Sequence, residues 1–235
     1  MKKRAAGLTL LEVLVAISLL SLLSVGILMA LRVGAGAWGK THARLTLDRR
    51  MATSNAILHA ALESIFPAWA EHHSPPAPPN TFLFFQGQRE SMRFVTSYSL
   101  QNGPRGGLRL IELQIVDGER GRRVLLNEKA YAGPRATGRL IASLGEDPGT
   151  GQMRLTFAPI LPQPTSFVIA DELTSCEFSY LRQDFPTDPA EWLTAWPRIS
   201  QLPRAISIRL AAGEDASRLL PVTVTVPVRA TMTSP

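Results

Sequence analysis

The sequence predicts an α+β protein in which one long N-terminal α-helix packs on an antiparallel, β-rich domain. Residues 1–31 open with the basic cluster Lys2-Lys3-Arg4 and continue as an apolar run of membrane length. A helical pattern then extends to residue 66. From residue 81 the apolar residues recur at every second position, which is typical of strands. The length of 235 residues accommodates one domain with an appended element.

The first part of the helix, residues 8–31, is long enough to cross a bilayer, which takes about 20 apolar residues. Glu12 is a single carboxylate near the start of this apolar stretch. Because an acid is costly in hydrocarbon, we expect it to have a function. A secretory signal peptide and a plain membrane anchor are alternatives. A signal peptide has a shorter apolar core of about 7–15 residues, and neither alternative explains Glu12.

Residues 7–14, Gly-Leu-Thr-Leu-Leu-Glu-Val-Leu, resemble the prepilin motif of type IV pilins and type II secretion pseudopilins. The resemblance implies that residues 1–7 are a leader peptide, which a prepilin peptidase removes between Gly7 and Leu8. It implies that Leu8 is then N-methylated and that Glu12 is an assembly contact. A buried carboxylate needs a partner. In a staggered bundle of such helices, that partner would be the α-amine of Leu8 on a neighbouring subunit.

Residues 34–41, Gly-Ala-Gly-Ala-Trp-Gly-Lys-Thr, match the phosphate-loop pattern G-x-x-x-x-G-K-[ST]. Residues 167–172 resemble the acidic second motif of nucleotide-binding proteins. A phosphate loop follows a strand, whereas a membrane-length helix precedes this one. The segment is therefore interpreted as a glycine-weakened stretch of helix and a hinge. A membrane-tethered nucleotide-binding protein is the alternative from another functional class.

Residues 40–66 show an amphipathic helical pattern that would pack on a globular domain, and Pro67 ends it. Residues 67–80 are rich in proline and predict an extended linker. The pair His72-His73 lies in this linker without cysteine or acidic residues around it, so no metal site is expected.

Residues 81–235 are expected to form the β-rich domain. Alternating patterns predict strands at 81–86, 91–98, 108–116, 122–127, 153–157, 166–170, 175–182, 205–210 and 219–228. The single cysteine, Cys176, lies in one of these strands and is interpreted as a small core residue. No nucleophile, metal-binding or redox motif is present, so neither an enzyme nor a cofactor is expected.

A loop with two tryptophans, Trp192 and Trp196, lies between two predicted strands and is a candidate interface, since Trp is enriched at binding hot spots. The order of a Phe-x-Tyr strand, a W-x-x-x-W loop and a Leu-Pro-x-Ala strand resembles the minor pseudopilin J family of type II secretion systems. The resemblance implies a single-pass inner-membrane protein with a periplasmic domain. Its partners would be the I, K and H minor pseudopilins and the major pseudopilin, and it would prime the pseudopilus tip for protein export.

The net charge of +6 comes from scattered arginines and not from a basic run, so no nucleic-acid partner is expected. Within the same superfamily, a minor type IV pilin serving adhesion, motility or DNA uptake is the alternative function.

Overall fold

The structure is a computed structural model, and it describes residues 9–73, 78–100, 102–103, 105–146, 151, 153–185, 187–212 and 222–229. The chain divides into two compact units, Met1–Arg50 and Met51–Pro235. Helix α1 covers Leu10–Glu63 and is continuous over 54 residues. The rest of the described chain is predominantly β-structure.

The last turns of α1 belong to the core of the second unit. Leu58, Ala61 and Leu62 have no solvent exposure, and their spacing places them on one helix face. The helix ends at Glu63 and not at the predicted residue 66. It ends there because Ile65 and Phe66 adopt an extended conformation and pair with Thr96 and Val95.

Thirteen strands and one short helix complete the described elements. They are β1 (Ile65–Phe66), β2 (Trp69–His72), β3 (Asn80–Leu83), β4 (Gln86–Gly87), β5 (Ser91–Thr96), β6 (Arg109–Gly118), β7 (Gly121–Ala130), α2 (Pro134–Gly138), β8 (Ile141–Glu146), β9 (Met153–Phe157), β10 (Phe167–Arg182), β11 (Glu191–Leu193), β12 (Ala205–Ala212) and β13 (Val222–Pro227).

The main sheet has nine strands in the order β1-β5-β6-β7-β10-β12-β13, with β4 beside β5 and β11 beside β10. Every pairing in it is antiparallel. Two smaller antiparallel sheets consist of β2 with β3 and β8 with β9. The predicted class, a long N-terminal helix and an antiparallel β-rich domain, is confirmed.

Strand β10 pairs with three strands: β7, β12 and, at its C-terminal end, β11. Phe167–Leu173 pairs with β7, and Leu173–Leu181 pairs with β12. The register shifts before Leu173, where Glu172 has a φ of 56°, a value that is uncommon for a non-glycine residue. This irregularity explains why the sequence pattern predicted two strands, 166–170 and 175–182, where the structure has one.

The sheet is covered on both faces at β5 and β6. One core cluster contains the helix residues Leu58 and Leu62 together with Phe94 and Ile111. A second cluster on the opposite face contains the adjacent residues Val95 and Leu110 with Phe84 and Ile141. Because successive residues of a strand point to opposite faces, both faces of these strands are core.

The prediction of an extended linker over 67–80 needs correction. Trp69–His72 forms β2 and pairs with β3 from Asn80 to Leu83, while residues 74–77 lie outside the described part of the chain. Ala68 and Ala70 are buried and hold this segment against the second core cluster. Alanine has a low strand propensity, so the pattern of the sequence concealed the strand.

Candidate functional site

The start of α1 carries the residues predicted to be processed and to assemble. Gly7 and Leu8 lie outside the described residues. Glu12 is exposed in the first helical turn, and its N–H donates to the carbonyl of Thr9 at 3.0 Å and to Thr9 Oγ1 at 3.3 Å. Thr9 therefore caps the helix, and the Thr-x-x-Glu spacing is that of a capping box. This capping signal is present in the sequence at residues 9–12.

The apolar part of α1, Leu10–Ala35, is 26 residues long and suited by length and composition to cross a membrane. At 1.5 Å per residue it extends over roughly 39 Å, more than the bilayer core of about 30 Å. Three serines interrupt it: the hydroxyls of Ser18, Ser21 and Ser24 each donate at 2.8 Å to the carbonyl four residues earlier. Each hydroxyl is thereby satisfied within the helix.

The segment 34–41 is helical backbone within α1. In a helix, the amides bond to carbonyls four residues earlier, so they do not converge on a phosphate as they do in a strand–loop–helix site. Residues 167–172 lie in β10, which is antiparallel to each of its partners, β7, β11 and β12. The two nucleotide-like motifs thus lack the parallel βαβ setting on which the alternative depended.

The tryptophan loop lies at one end of β10. Strand β11 pairs with β10 so that Trp192 is opposite Leu181, and the Trp192 side chain is 46% exposed. Trp196 is half-buried: its backbone N–H donates to Gly87 O at 2.9 Å, and its indole Nε1 donates to Gln201 O at 2.8 Å. Of the two predicted interface residues, Trp192 is the more exposed, whereas Trp196 holds the loop on the domain.

Histidine and cysteine offer no reactive constellation in the described part of the chain. His72 Nδ1 lies 3.5 Å from the carbonyl of Gly138, and His73 is exposed. The described residues contain no group of three His, Cys, Asp or Glu side chains that could hold a metal ion. Cys176 is buried, and burial raises the pKa of its thiol to about 12, so the thiol is neutral at physiological pH.

A buried polar network lies on the sheet face opposite α1, and the sequence analysis missed it. Arg93 is 1% exposed and Glu112 is 2% exposed. Arg93 Nε donates to Glu112 Oε1 at 2.8 Å. Lys129 Nζ and Asn127 Nδ2 donate to Glu112 Oε2 at 2.9 and 3.3 Å.

The network attaches the segment after β9 to the sheet. Arg93 donates to the carbonyl of Ala158 at 2.6 Å, and Asn127 donates to the carbonyl of Leu161 at 3.1 Å. Burial raises the pKa of Glu112, but hydrogen bonds and charge from Lys129 and Arg93 outweigh it and hold the pKa below its usual value of 4.5. Glu112 is therefore ionised in the folded protein at neutral pH.

Comparison with known families identifies one sequence feature. Residues 2–28 match the prokaryotic N-terminal methylation motif. This match confirms the predicted methylation motif at the N-terminus. The cleavage position between Gly7 and Leu8, the methylation of Leu8 and the assembly contact of Glu12 remain predictions.

A similar solved structure is a chain of the GspK-GspI-GspJ complex from the type 2 secretion system of enterotoxigenic Escherichia coli. The match has a TM-score of 0.41 and 14% sequence identity, and it covers 78% of this chain and 98% of that chain. No curated protein matches the chain.

Proposed function

We propose that this chain is a minor pseudopilin of a type II secretion system, most similar to the J component, and that it is a structural subunit and not an enzyme. The observation that carries the proposal is the methylation motif at residues 2–28, placed at the head of a membrane-length helix. The Trp loop between β10 and β12, at positions 192 and 196, supports the assignment to the J family through its sequence resemblance.

In the proposed life cycle, α1 anchors the precursor in the inner membrane with the β-rich domain in the periplasm. A prepilin peptidase cuts between Gly7 and Leu8, and Leu8 is methylated. The mature subunit then joins the I, K and H minor pseudopilins at the tip of the pseudopilus, which primes polymerisation of the major pseudopilin and supports export of folded proteins.

N-terminal sequencing of the mature protein tests the processing step. We expect the mature chain to begin with N-methylated Leu8. A Gly7→Val substitution should abolish cleavage, and a Thr41→Val substitution, far from the site, should leave it intact. A mature terminus at any other residue, or a Gly7→Val variant that is still processed, would overturn the prepilin assignment.

The assembly role of Glu12 is tested by substitution within the helix. Glu12→Ala should be cleaved normally but enter the tip complex poorly, because the carboxylate no longer meets the α-amine of a neighbouring Leu8. Ser18→Ala is a suitable control, since it removes a hydroxyl bonded only within its own helix. Equal co-purification of both variants with the other minor subunits would refute the contact.

The exposed Trp192 is the proposed partner contact of the β-rich domain. We expect Trp192→Ala to weaken co-purification with the other minor subunits while its unfolding midpoint stays unchanged. Trp196→Phe removes the indole donor to Gln201, so its main effect should be a lower unfolding midpoint of the domain. If Trp192→Ala bound the partners normally, and only Trp196→Phe lost binding in proportion to its lost stability, Trp192 would not be the partner contact.

The same motif begins type IV pilins, so the filament system needs its own experiment. Deletion of the gene should abolish secretion of exoproteins and leave twitching motility and transformation intact. The opposite pattern would assign the chain to a type IV pilus as a minor pilin.

A further inference from the structure

A groove runs between strand β9 and the segment that contains Trp196. One wall is formed by Met153, Arg154, Leu155 and Phe157 of β9, the other by residues 195–199, and the floor is residues 85–88. The groove is open to solvent and has a volume of about 210 Å³. The wall at 195–199 is fixed to the domain, because Trp196 donates to Gly87 O and Ile199 accepts from Leu83 N.

The wall formed by β9 is a free strand edge. In the described residues β9 pairs only with β8, and the N–H of Ala158, the next residue, donates to Leu140 O at the end of that ladder. Because hydrogen-bonding direction alternates along a strand, Thr156 and Arg154 also face β8. Met153, Leu155 and Phe157 therefore direct their N–H and C=O groups to the other edge, and these three residues line the groove.

The backbone groups on this edge have no described partner. Outside the ladder with β8, no hydrogen bond to them appears among the contacts of the described residues. An unpaired edge is a template for another extended chain, and its five residues would match a segment of about five residues, or roughly 17 Å.

The charge of the groove selects the kind of segment. Arg154 and Arg198 both line it. Arg198 pairs with Asp184 at 2.8 Å, whereas Arg154 is exposed and makes no ion pair or hydrogen bond within the described residues. The excess charge is positive, so a carboxylate on the incoming segment is favoured at the rim.

We propose that this groove binds an extended, acidic segment of a partner protein, which adds as a strand to the free edge of β9. Backbone hydrogen bonds to Met153, Leu155 and Phe157 would provide affinity, and Arg154 would select carboxylates, as in other cases of strand addition to a sheet edge. The face of Trp196 and the apolar side chains of the walls would receive alternate side chains of the segment.

Two substitutions at Met153 separate the contribution of its backbone N–H to peptide binding from that of its side chain. Met153→Pro removes an N–H that points into the groove and takes no part in the ladder with β8. Met153→Ala keeps that N–H and removes the side chain. The probe is a fluorescein-labelled peptide, Thr-Val-Glu-Val-Glu-Val-Thr, titrated into the full-length protein in a zwitterionic detergent and followed by fluorescence anisotropy.

We expect saturable binding that Met153→Pro weakens at least tenfold and that Met153→Ala weakens less than threefold. Arg154→Glu should weaken binding of the acidic peptide at least tenfold and should favour a peptide with Lys in place of Glu. Circular dichroism and the unfolding midpoint of each variant check that the domain is folded. Absence of binding, or equal binding by the proline variant and wild type, would overturn the proposal.

Hydrogen exchange at single-amide resolution supplies the second measurement. On peptide binding, the amides of Met153, Leu155 and Phe157 should exchange more slowly, whereas those of Arg154 and Thr156, already bonded to β8, should change little. Uniform protection along β9 or protection confined to another surface would contradict strand addition. Neither measurement uses secretion or pilus assembly as a readout, so the groove and the proposed function can fail independently.

Discussion

Removing the charge of Glu112 should destabilise the β-rich domain more than breaking an ion pair on its surface. Its two oxygens accept from Arg93, Lys129 and Asn127 in a nearly solvent-free site. In Glu112→Gln, one oxygen becomes an NH₂ donor, which must then face a cation or an amide donor. The loss of one charge-assisted hydrogen bond costs about 1.5–3 kcal/mol, and leaving a buried guanidinium without a counter-ion brings the total to about 3–5 kcal/mol.

The matched control is the exposed pair Arg89 and Glu177. Arg89 is 66% exposed, and its Nη2 lies 3.1 Å from Glu177 Oε2, so Arg89→Met should cost at most about 1 kcal/mol. Both variants are measured by urea unfolding of the full-length protein in detergent, followed by tryptophan fluorescence. A Glu112→Gln loss no larger than the Arg89→Met loss would refute the idea that the buried network stabilises the fold.

The same residue predicts a pH dependence. Because the pKa of Glu112 is lower in the folded state than its usual 4.5, its contribution to stability is complete above that value. The contribution is lost as the pH falls through the folded pKa. The difference in unfolding free energy between wild type and Glu112→Gln should therefore be constant at higher pH and shrink as the pH is lowered below 4.5. A difference that stays constant as the pH is lowered below 4.5 would show that the effect of the substitution does not depend on the ionisation of Glu112.

Three further substitutions or measurements test the packing of the domain. Cys176, with a thiol pKa of about 12, should resist a maleimide at neutral pH and react stoichiometrically in urea; rapid labelling of the native protein would mean that β10 opens. In Gly138→Ala the new Cβ would lie 1.9 Å from the carbonyl oxygen of Glu71, which should cost about 3 kcal/mol of unfolding free energy. Gly145→Ala, with no atom within 4 Å, is its control and should change stability by less than about 0.5 kcal/mol. Tyr180→Phe loses the hydrogen bond to Gln88 O at 2.8 Å and should lower stability by about 1 kcal/mol, with an unchanged midpoint contradicting that bond.

The long elements could be predicted because their periodicity is strong. The apolar run after residue 8 and the alternation at 91–98, 108–116 and 205–210 correspond to α1, β5, β6 and β12. Strand β8 and helix α2 were not predicted. The segment 141–146 contains one buried residue, Ile141, so it carries almost no alternation, and α2 is only five residues long.

The buried network could not be predicted, because alternation reports which face a residue is on and not what covers that face. Arg93 lies between Met92 and Phe94, so the pattern places it opposite the helix-covered core, where a sheet is often solvated. The segment after β9 covers this face, and it contacts Arg93 and Asn127 through backbone carbonyls. Carbonyl positions of an irregular segment leave no trace in the spacing of side chains.

The serine hydroxyls of α1 bear on the transfer of the helix from lipid into contact with other proteins. Since Ser18, Ser21 and Ser24 already donate to carbonyls of their own helix, moving the helix from lipid into contact with other proteins leaves their hydrogen bonds intact. Between Leu10 and Leu31 only the carboxylate of Glu12 is an ionisable group. Under the proposed function, Glu12 is then the one ionisable group between Leu10 and Leu31 whose surroundings would change when the helix moves from lipid into a protein assembly.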